Sequence, residues 1–144
     1  MNSFEIVTVA THDEGMYRQL IQNQYDSNIV VLGVGQQWEG FMMKYRLVYD
    51  YIKEKNDDMI LIFLDGFDSL INGSPEESVQ QFKRQDKKVL YSVDKLRSPI
   101  QSFVYNRVFH HKHNIHNLNS GMYIGYVKYL KQFLKEVLKL KYNS

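Results

Sequence analysis

The sequence predicts an α/β fold, a mostly parallel sheet flanked by helices, on two observations. Short apolar runs recur along the chain, and the segments between them carry the helical spacing of apolar residues. The run at 59–64, MILIFL, is apolar throughout, which is typical of a strand buried on both faces of a parallel sheet. Strands that alternate with helices favour a parallel sheet wound right-handedly. We expect one domain over 1–144, which is long enough for a core.

Two strands and two helices are expected before this central run. Residues 6–10 form the first buried strand, and a helix follows over 14–24 with Asp13 as its N-cap. Residues 28–32 form the second strand, and helical spacing then extends over 42–55.

A helix start is the clearest local signal after the central run. Ser74 is the expected N-cap, Pro75 occupies the first helical position, and Glu77 completes a capping box. We expect this helix to end near Gln85.

The last third of the chain predicts two strands and a helix. The strands are expected at 88–93 and 121–126, whereas 95–118 has no clear periodicity. An amphipathic helix is predicted over 127–140.

Two acids follow the central run directly, in the order Asp65-Gly66-Phe67-Asp68. The carboxyl ends of strands are where open α/β sheets bind ligands, and Gly66 permits a sharp turn that could aim both acids at one point. Paired hard oxygen ligands suit Mg²⁺ or Mn²⁺, which take their other ligands from water and substrate phosphates. The alternative is an Asx-type turn in which Asp is only a turn former.

Three further features leave a binding role and a structural role open. Trp38 is either an apolar plug or a flat platform for a ring. Lys44 and Arg46 either meet phosphate oxygens or form the solvated face of a helix. The histidines within 110–116, HHKHNIH, suggest a zinc site or, as we favour, a solvated loop.

Composition and missing motifs argue against several classes of function. The net charge of +2 is too small to imply a nucleic-acid partner. No apolar run approaches the length of a membrane span, and neither a G-x-G-x-x-G fingerprint nor a P-loop occurs. The chain has no cysteine and no visible signal peptide, so we expect a cytoplasmic location.

Five segments, in order along the chain, resemble one known family. They lie at 7–11, 33–40, 65–68, 73–77 and 118–126. The family is the N-terminal glycosyltransferase domain of the procollagen lysyl hydroxylases, which is related to the collagen galactosyltransferases. The resemblance extends over nearly the whole chain.

The resemblance implies a GT-A fold and a metal-dependent glycosyltransferase. Such an enzyme would move glucose or galactose from UDP-glucose or UDP-galactose to hydroxylysine-linked acceptors on collagen-like protein. The implied cofactor is Mn²⁺, with Mg²⁺ as a substitute, held by Asp65 and Asp68.

The resemblance also implies roles for six other residues. Thr11 and Phe67 would line the uridine site, and Trp38 and Lys44 match further positions around the nucleotide. The implied catalytic positions are Asp94, after the fourth strand, and Asn119, on the sugar and acceptor side.

The chain departs from the family pattern in three places. The loop over 39–43 is shorter than in the family, and Ser98 stands where the family has a tryptophan. The family continues past Ser144 with an acidic segment and a histidine that is the third metal ligand. We therefore expect a partial GT-A domain that lacks the C-terminal part of the fold and self-associates through the side left uncovered. The alternative function is an inactive UDP- and metal-binding remnant or an interaction module.

Overall fold

A computed structural model describes residues 3–94 and 117–140. Within these ranges the strands are Phe4–Val9 (β1), Ile29–Leu32 (β2), Ile60–Asp65 (β3), Val89–Asp94 (β4) and Asn117–Tyr126 (β5). The helices are Tyr17–Ile21 (α1), Phe41–Ile52 (α2), Pro75–Arg84 (α3) and Val127–Lys139 (α4). No helix in this described part is long and apolar enough to cross a membrane.

The strands form one sheet in the order β2-β1-β3-β5-β4. β1 pairs in parallel with β2 and β3, whereas β5 is antiparallel to both of its neighbours, β3 and β4. Four strands therefore run in one direction and β5 runs in the other. The prediction of an α/β fold with a mostly parallel sheet is confirmed, and the antiparallel strand makes the sheet mixed. We use "carboxyl edge" for the edge where the four parallel strands end.

Helices cover both faces of the sheet, and β3 is buried between them. On one face, Leu61 and Phe63 pack in a cluster with side chains of α2 and α4. On the other, Ile60, Ile62 and Leu64 pack in a cluster with side chains of α1 and α3. Burying each large apolar side chain stabilises the fold by about 1.5–3 kcal/mol, so a strand that is covered on both faces favours apolar residues on both. This is the physical reason for the unbroken apolar run.

The first helix is much shorter than predicted. The helix expected over 14–24 is only the five-residue α1, and Asp13 forms an ion pair with Arg18 instead of capping it. Gly15 has a positive φ of 59°, and the next backbone N–H donates to the carbonyl oxygen of Phe67 at 2.7 Å. The segment before α1 is therefore a loop fixed to the turn after β3.

The predicted start of α3 is confirmed, but only half of the capping box forms. Ser74 is the N-cap, its Oγ accepts the backbone N–H of Glu77 at 3.3 Å, and Pro75 is the first helical residue. Ser74 Oγ also donates to a carboxylate oxygen of Glu76 at 2.9 Å. This differs from the capping-box contact, in which the carboxylate of Glu77 would accept the backbone N–H of Ser74. Gln85 is the C-cap, as predicted.

The last strand starts earlier than predicted. β5 begins at Asn117 rather than at 121, because it extends past the end of β3 to pair with the end of β4. α2 also begins and ends earlier than the predicted 42–55, whereas α4 begins at the predicted residue.

Candidate functional site

The end of β3 places Asp65 at the carboxyl edge beside a lysine from α2. The Nζ atom of Lys44 lies 2.5 Å from Oδ2 of Asp65, and the two side chains are 16% and 17% exposed. The other carboxylate oxygen, Oδ1, accepts the backbone N–H of Phe67 at 3.1 Å. Asp65 therefore forms the Asx-type turn that the sequence left open as an alternative. It also forms an ion pair with Lys44, which such a turn does not require.

Asp65 and Asp68 have opposite pKa shifts. Burial alone would raise the pKa of Asp65, but hydrogen bonds from Lys44 and Phe67, together with the lysine charge, bring it below its ordinary value. Burial and then the negative charge of Asp65 raise the pKa of Asp68. The two carboxylates thus interact with each other and share one lysine. Such a pair of hard oxygen donors has the chemistry to hold a divalent cation.

The end of β1 lies close to this acid pair because Gly66 has no side chain. A Cβ atom at Gly66 would lie 2.8 Å from the carbonyl oxygen of Val9 and 3.0 Å from Cβ of Ala10. The next residue, Thr11, is 8% exposed, and its carbonyl oxygen accepts the N–H of Gly35 at 2.9 Å. The loops after β1, β2 and β3 are therefore joined at one place.

A chain of three side chains follows β1, and the sequence analysis missed two of its members. Thr11 Oγ1 lies 2.8 Å from Nδ1 of His12, and Nε2 of His12 lies 2.7 Å from Oε2 of Glu14. The His12 ring is also 5.4 Å from the ring of Phe67. His12 could have been identified from its position in the sequence, because it follows a buried strand at the edge where such sheets bind ligands.

The loop after β2 and the start of α2 add aromatic side chains. Trp38 is 42% exposed and meets Phe41 edge-on at 6.1 Å, so it is not a buried plug. Nζ of Lys44 lies 6.0 Å from the centre of the Phe41 ring. Arg46 instead forms an exposed ion pair with Glu39 at 2.9 Å, which fits the solvated-face alternative.

The backbones of Asp94 and Asn119 lie at the same edge of the sheet. Asp94 ends β4 opposite Asn117, and Asn119 is paired with Ser92. Met122 is the first residue along β5 that pairs with β3, and it lies opposite Leu64 near the end of β3. Asn119 precedes it and therefore lies beyond the end of β3. The side chains of Asp94 and Asn119 are outside the described part of the structure.

The histidines within 110–116 also lie outside the described residues. In 3–94 and 117–140, no group of three or more His, Cys, Asp or Glu side chains could hold a metal ion. The acid pair is therefore the donor set that these ranges offer.

Comparison with known proteins decides the family. The family model described as the PLOD GT domain matches residues 1–142. The chain belongs to the PLOD GT domain family. This confirms the resemblance to the glycosyltransferase domain of the procollagen lysyl hydroxylases.

The relatives of this PLOD GT domain are longer proteins. Procollagen-lysine,2-oxoglutarate 5-dioxygenase 2 of Homo sapiens is 26% identical over 143 residues, covering 91% of this chain and 19% of that protein. The multifunctional procollagen lysine hydroxylase and glycosyltransferase of Caenorhabditis elegans is 29% identical over 146 residues, covering 90% and 20%. The human protein of that name, LH3, is 27% identical over 145 residues, covering 91% and 19%. The chain spans about one fifth of the length of these relatives.

A solved structure supports the fold of this PLOD GT domain. The crystal structure of A197 from STIV matches with a TM-score of 0.53 at 13% sequence identity, covering 99% of this chain and 70% of that chain. At this identity the likeness concerns the fold alone. The α/β, GT-A-like fold is confirmed.

Proposed function

We propose that this domain transfers glucose or galactose from a UDP-sugar to hydroxylysine-linked acceptors on collagen-like protein. The observation that carries the proposal is the acid pair Asp65 and Asp68 at the carboxyl edge of a PLOD GT domain, with Lys44 beside it. The names of the relatives, which join procollagen lysine hydroxylase to glycosyltransferase, support the acceptor and the reaction.

The acid pair fits a divalent cation, Mn²⁺ or Mg²⁺. Both side chains offer hard oxygen donors. The charge of Asp65 raises the pKa of Asp68, and a hydrogen bond with Asp68 helps to lower the pKa of Asp65, so the two acids are close enough to serve one ion. When bound, the ion would neutralise the charge that grows on the departing diphosphate, as a Lewis acid and as a template.

The other residues of the edge would bind and orient the donor. Lys44 supplies a positive charge for the phosphate oxygens. Phe67 offers a ring on which uracil can stack. Thr11 lies near this ring, because its hydroxyl contacts His12 and the His12 ring contacts Phe67. Trp38 lies next to Phe41 and can cover the nucleotide from the side of α2.

Asp94 and Asn119 are proposed on the side of the sugar and the acceptor. Their strands, β4 and β5, end or begin at the carboxyl edge, and β5 extends beyond β3 there. Asn119 would hydrogen-bond the sugar or acceptor, and Asp94 would contact the acceptor hydroxyl as a general base. The cytoplasmic location and the self-association expected from the sequence stay predictions.

A transfer assay tests the proposed function. Release of UDP from UDP-glucose and UDP-galactose is measured with Mn²⁺ and a collagen peptide that contains hydroxylysine or galactosyl-hydroxylysine. We expect acceptor-dependent release that falls about 100-fold or more in Asp65→Asn and Asp68→Asn. Asp58→Asn is the matched control, because Asp58 is an exposed acid before β3, at the opposite edge.

Two outcomes would contradict the proposed reaction. Binding of UDP and Mn²⁺ without transfer to any of the peptides would favour the alternative of a nucleotide- and metal-binding module. Failure to bind either would favour an interaction module.

A further inference from the structure

Lys44 carries its positive charge at an unfavourable position. It is the fourth residue of α2, and a cation in the first turn of a helix opposes the helix dipole. Among the described residues, no side chain caps this end of α2, and its first turn holds no acid. The lysine side chain is also only 16% exposed. A lysine at this position therefore depends on a specific partner.

That partner is Asp65, whose two carboxylate oxygens are both engaged. Oδ2 contacts the Lys44 ammonium at 2.5 Å, and Oδ1 accepts the backbone N–H of Phe67 at 3.1 Å. A cation that uses Asp65 as a ligand must compete with one of these donors. The ammonium is the donor that can move, because it ends a flexible side chain.

Moving the ammonium requires a new partner for it. A divalent cation alone would leave Lys44 close to a like charge, with little solvent around it. A diphosphate alone would meet two carboxylates and a lysine that is already paired. If both ligands were present together, Asp65 would hold the cation and Lys44 would contact the phosphate oxygens, so every charge would keep a partner.

We propose that, in the absence of ligands, the Lys44 ammonium occupies the position on Asp65 that a divalent cation would take. When this ammonium moves from Asp65 to the diphosphate, the metal and the nucleotide bind cooperatively. This inference rests on the proposed function, because it takes Asp65 as a metal ligand. Lys44 is thus a positioning residue that couples two ligands.

Calorimetric titration of Mn²⁺ with and without UDP tests the coupling. In the wild type we expect UDP to raise the Mn²⁺ affinity at least about 10-fold, within the usual range of coupling between sites. Lys44→Met keeps an unbranched side chain of nearly the same length and removes its charge. In this variant Mn²⁺ alone should bind about 10-fold more tightly than in the wild type, and the enhancement by UDP should fall at least about fivefold.

The matched control is Lys55→Met. Lys55 pairs with Glu5 at 3.2 Å near the other end of α2, so its loss should change neither affinity. An equal or weaker affinity of Lys44→Met for Mn²⁺ alone would overturn the inference and leave the proposed function intact. A wild type that binds neither Mn²⁺ nor UDP would refute the proposed function and this inference with it.

A second measurement uses the wild type, in case Lys44→Met is too unstable to titrate. The ¹³Cε signal of Lys44, assigned with Lys44→Arg, should shift when Mg²⁺ and UDP are added together and shift less with either alone. A signal that the combination does not move more than the separate additions would overturn the inference.

Discussion

Asp65, which ends β3, and Asp68, in the turn after it, have different surroundings although only two residues separate them. Burial raises the pKa of Asp65, but the hydrogen bonds and charge of its neighbours, Lys44 first among them, bring it below the ordinary value. Partial desolvation of the carboxyl group and then the negative charge of Asp65 raise the pKa of Asp68, although the residue as a whole is exposed. Ionisation therefore favours the fold at Asp65 and opposes it at Asp68.

The same substitution should lower stability at Asp65 and have little effect on stability at Asp68. At pH 7, Asp65→Asn should lower the free energy of unfolding by about 1–3 kcal/mol, because it leaves the mostly buried ammonium of Lys44 without its ion pair. Asp68→Asn should leave stability within about 0.5 kcal/mol of the wild type, or raise it slightly. Denaturant unfolding measures both values. A larger loss in Asp68→Asn than in Asp65→Asn would contradict this account of the charges.

Single residues could be predicted from the sequence where a strand end marked them. Asp65 and Asp68 follow an unbroken apolar run, so their position at the carboxyl edge was predictable. Glu14 was assigned to the start of the predicted helix and His12 was given no role. The Thr11–His12–Glu14 contacts depend on a loop geometry that no local pattern reveals.

At the scale of elements, two glycines join the β1 loop to the turn after β3. Gly66 lets β1 approach that turn, and Gly15, with its φ of 59°, would place a Cβ atom 2.4 Å from the carbonyl oxygen of Phe67. The predicted length of α1 was wrong for this reason, since a long-range contact with Phe67 competes with helix formation. The Ser74 cap and the start of α4 were predictable because their signals are local.

Filling the space at Gly66 should destabilise the protein. Gly66→Ala places a Cβ atom 2.8 Å from backbone, so the strands must shift, and we expect a loss of about 1–3 kcal/mol in the free energy of unfolding. Gly73→Ala is the matched control, because its Cβ would meet nothing within 4 Å. Equal stability of the two variants would show that β1 does not need this close approach.

Tyr91 on β4 has a buried hydroxyl group that no described residue binds. Its Oη atom is buried without a hydrogen-bond partner among the described residues, while its ring contacts Tyr123 and Phe133. Tyr91→Phe removes the unpaired hydroxyl and keeps the ring contacts. We expect it to raise the free energy of unfolding at pH 7 by about 1 kcal/mol, and thermal unfolding measures the change. A loss of stability would mean that the hydroxyl has a partner.

The same tyrosines predict how stability depends on alkaline pH. Burial raises the pKa of Tyr91 and of Tyr123, whereas an unfolded tyrosine ionises near pH 10. Above about pH 10 the unfolded state therefore loses its protons first, so stability falls as pH rises. The fall should be shallower in Tyr91→Phe than in the wild type, as unfolding curves from pH 8 to 11 would show. Parallel pH profiles would argue against a buried, neutral Tyr91.

For the whole molecule, the order of apolar runs was enough to predict the class of fold. The antiparallel direction of β5 was not predictable from the sequence. The segment 95–118 shows no clear helical pattern, so the strand after it could run in either direction. The family could be recognised because its segments are spread over the chain, and the match over 1–142 confirms it. Whether the acid pair binds metal depends on charges from α2 and β3 together, which only the fold brings into contact.

Titration of UDP, with Mn²⁺ and with EDTA, is the most direct measurement of the central claim that the carboxyl edge is a metal-dependent nucleotide site. We predict binding with Mn²⁺, at least about 10-fold weaker binding with EDTA, and loss of the Mn²⁺ effect in Asp65→Asn and Asp68→Asn while both variants stay folded. UDP binding of equal affinity with Mn²⁺ and with EDTA, unchanged in both folded variants, would contradict the account and leave the two acids as turn formers.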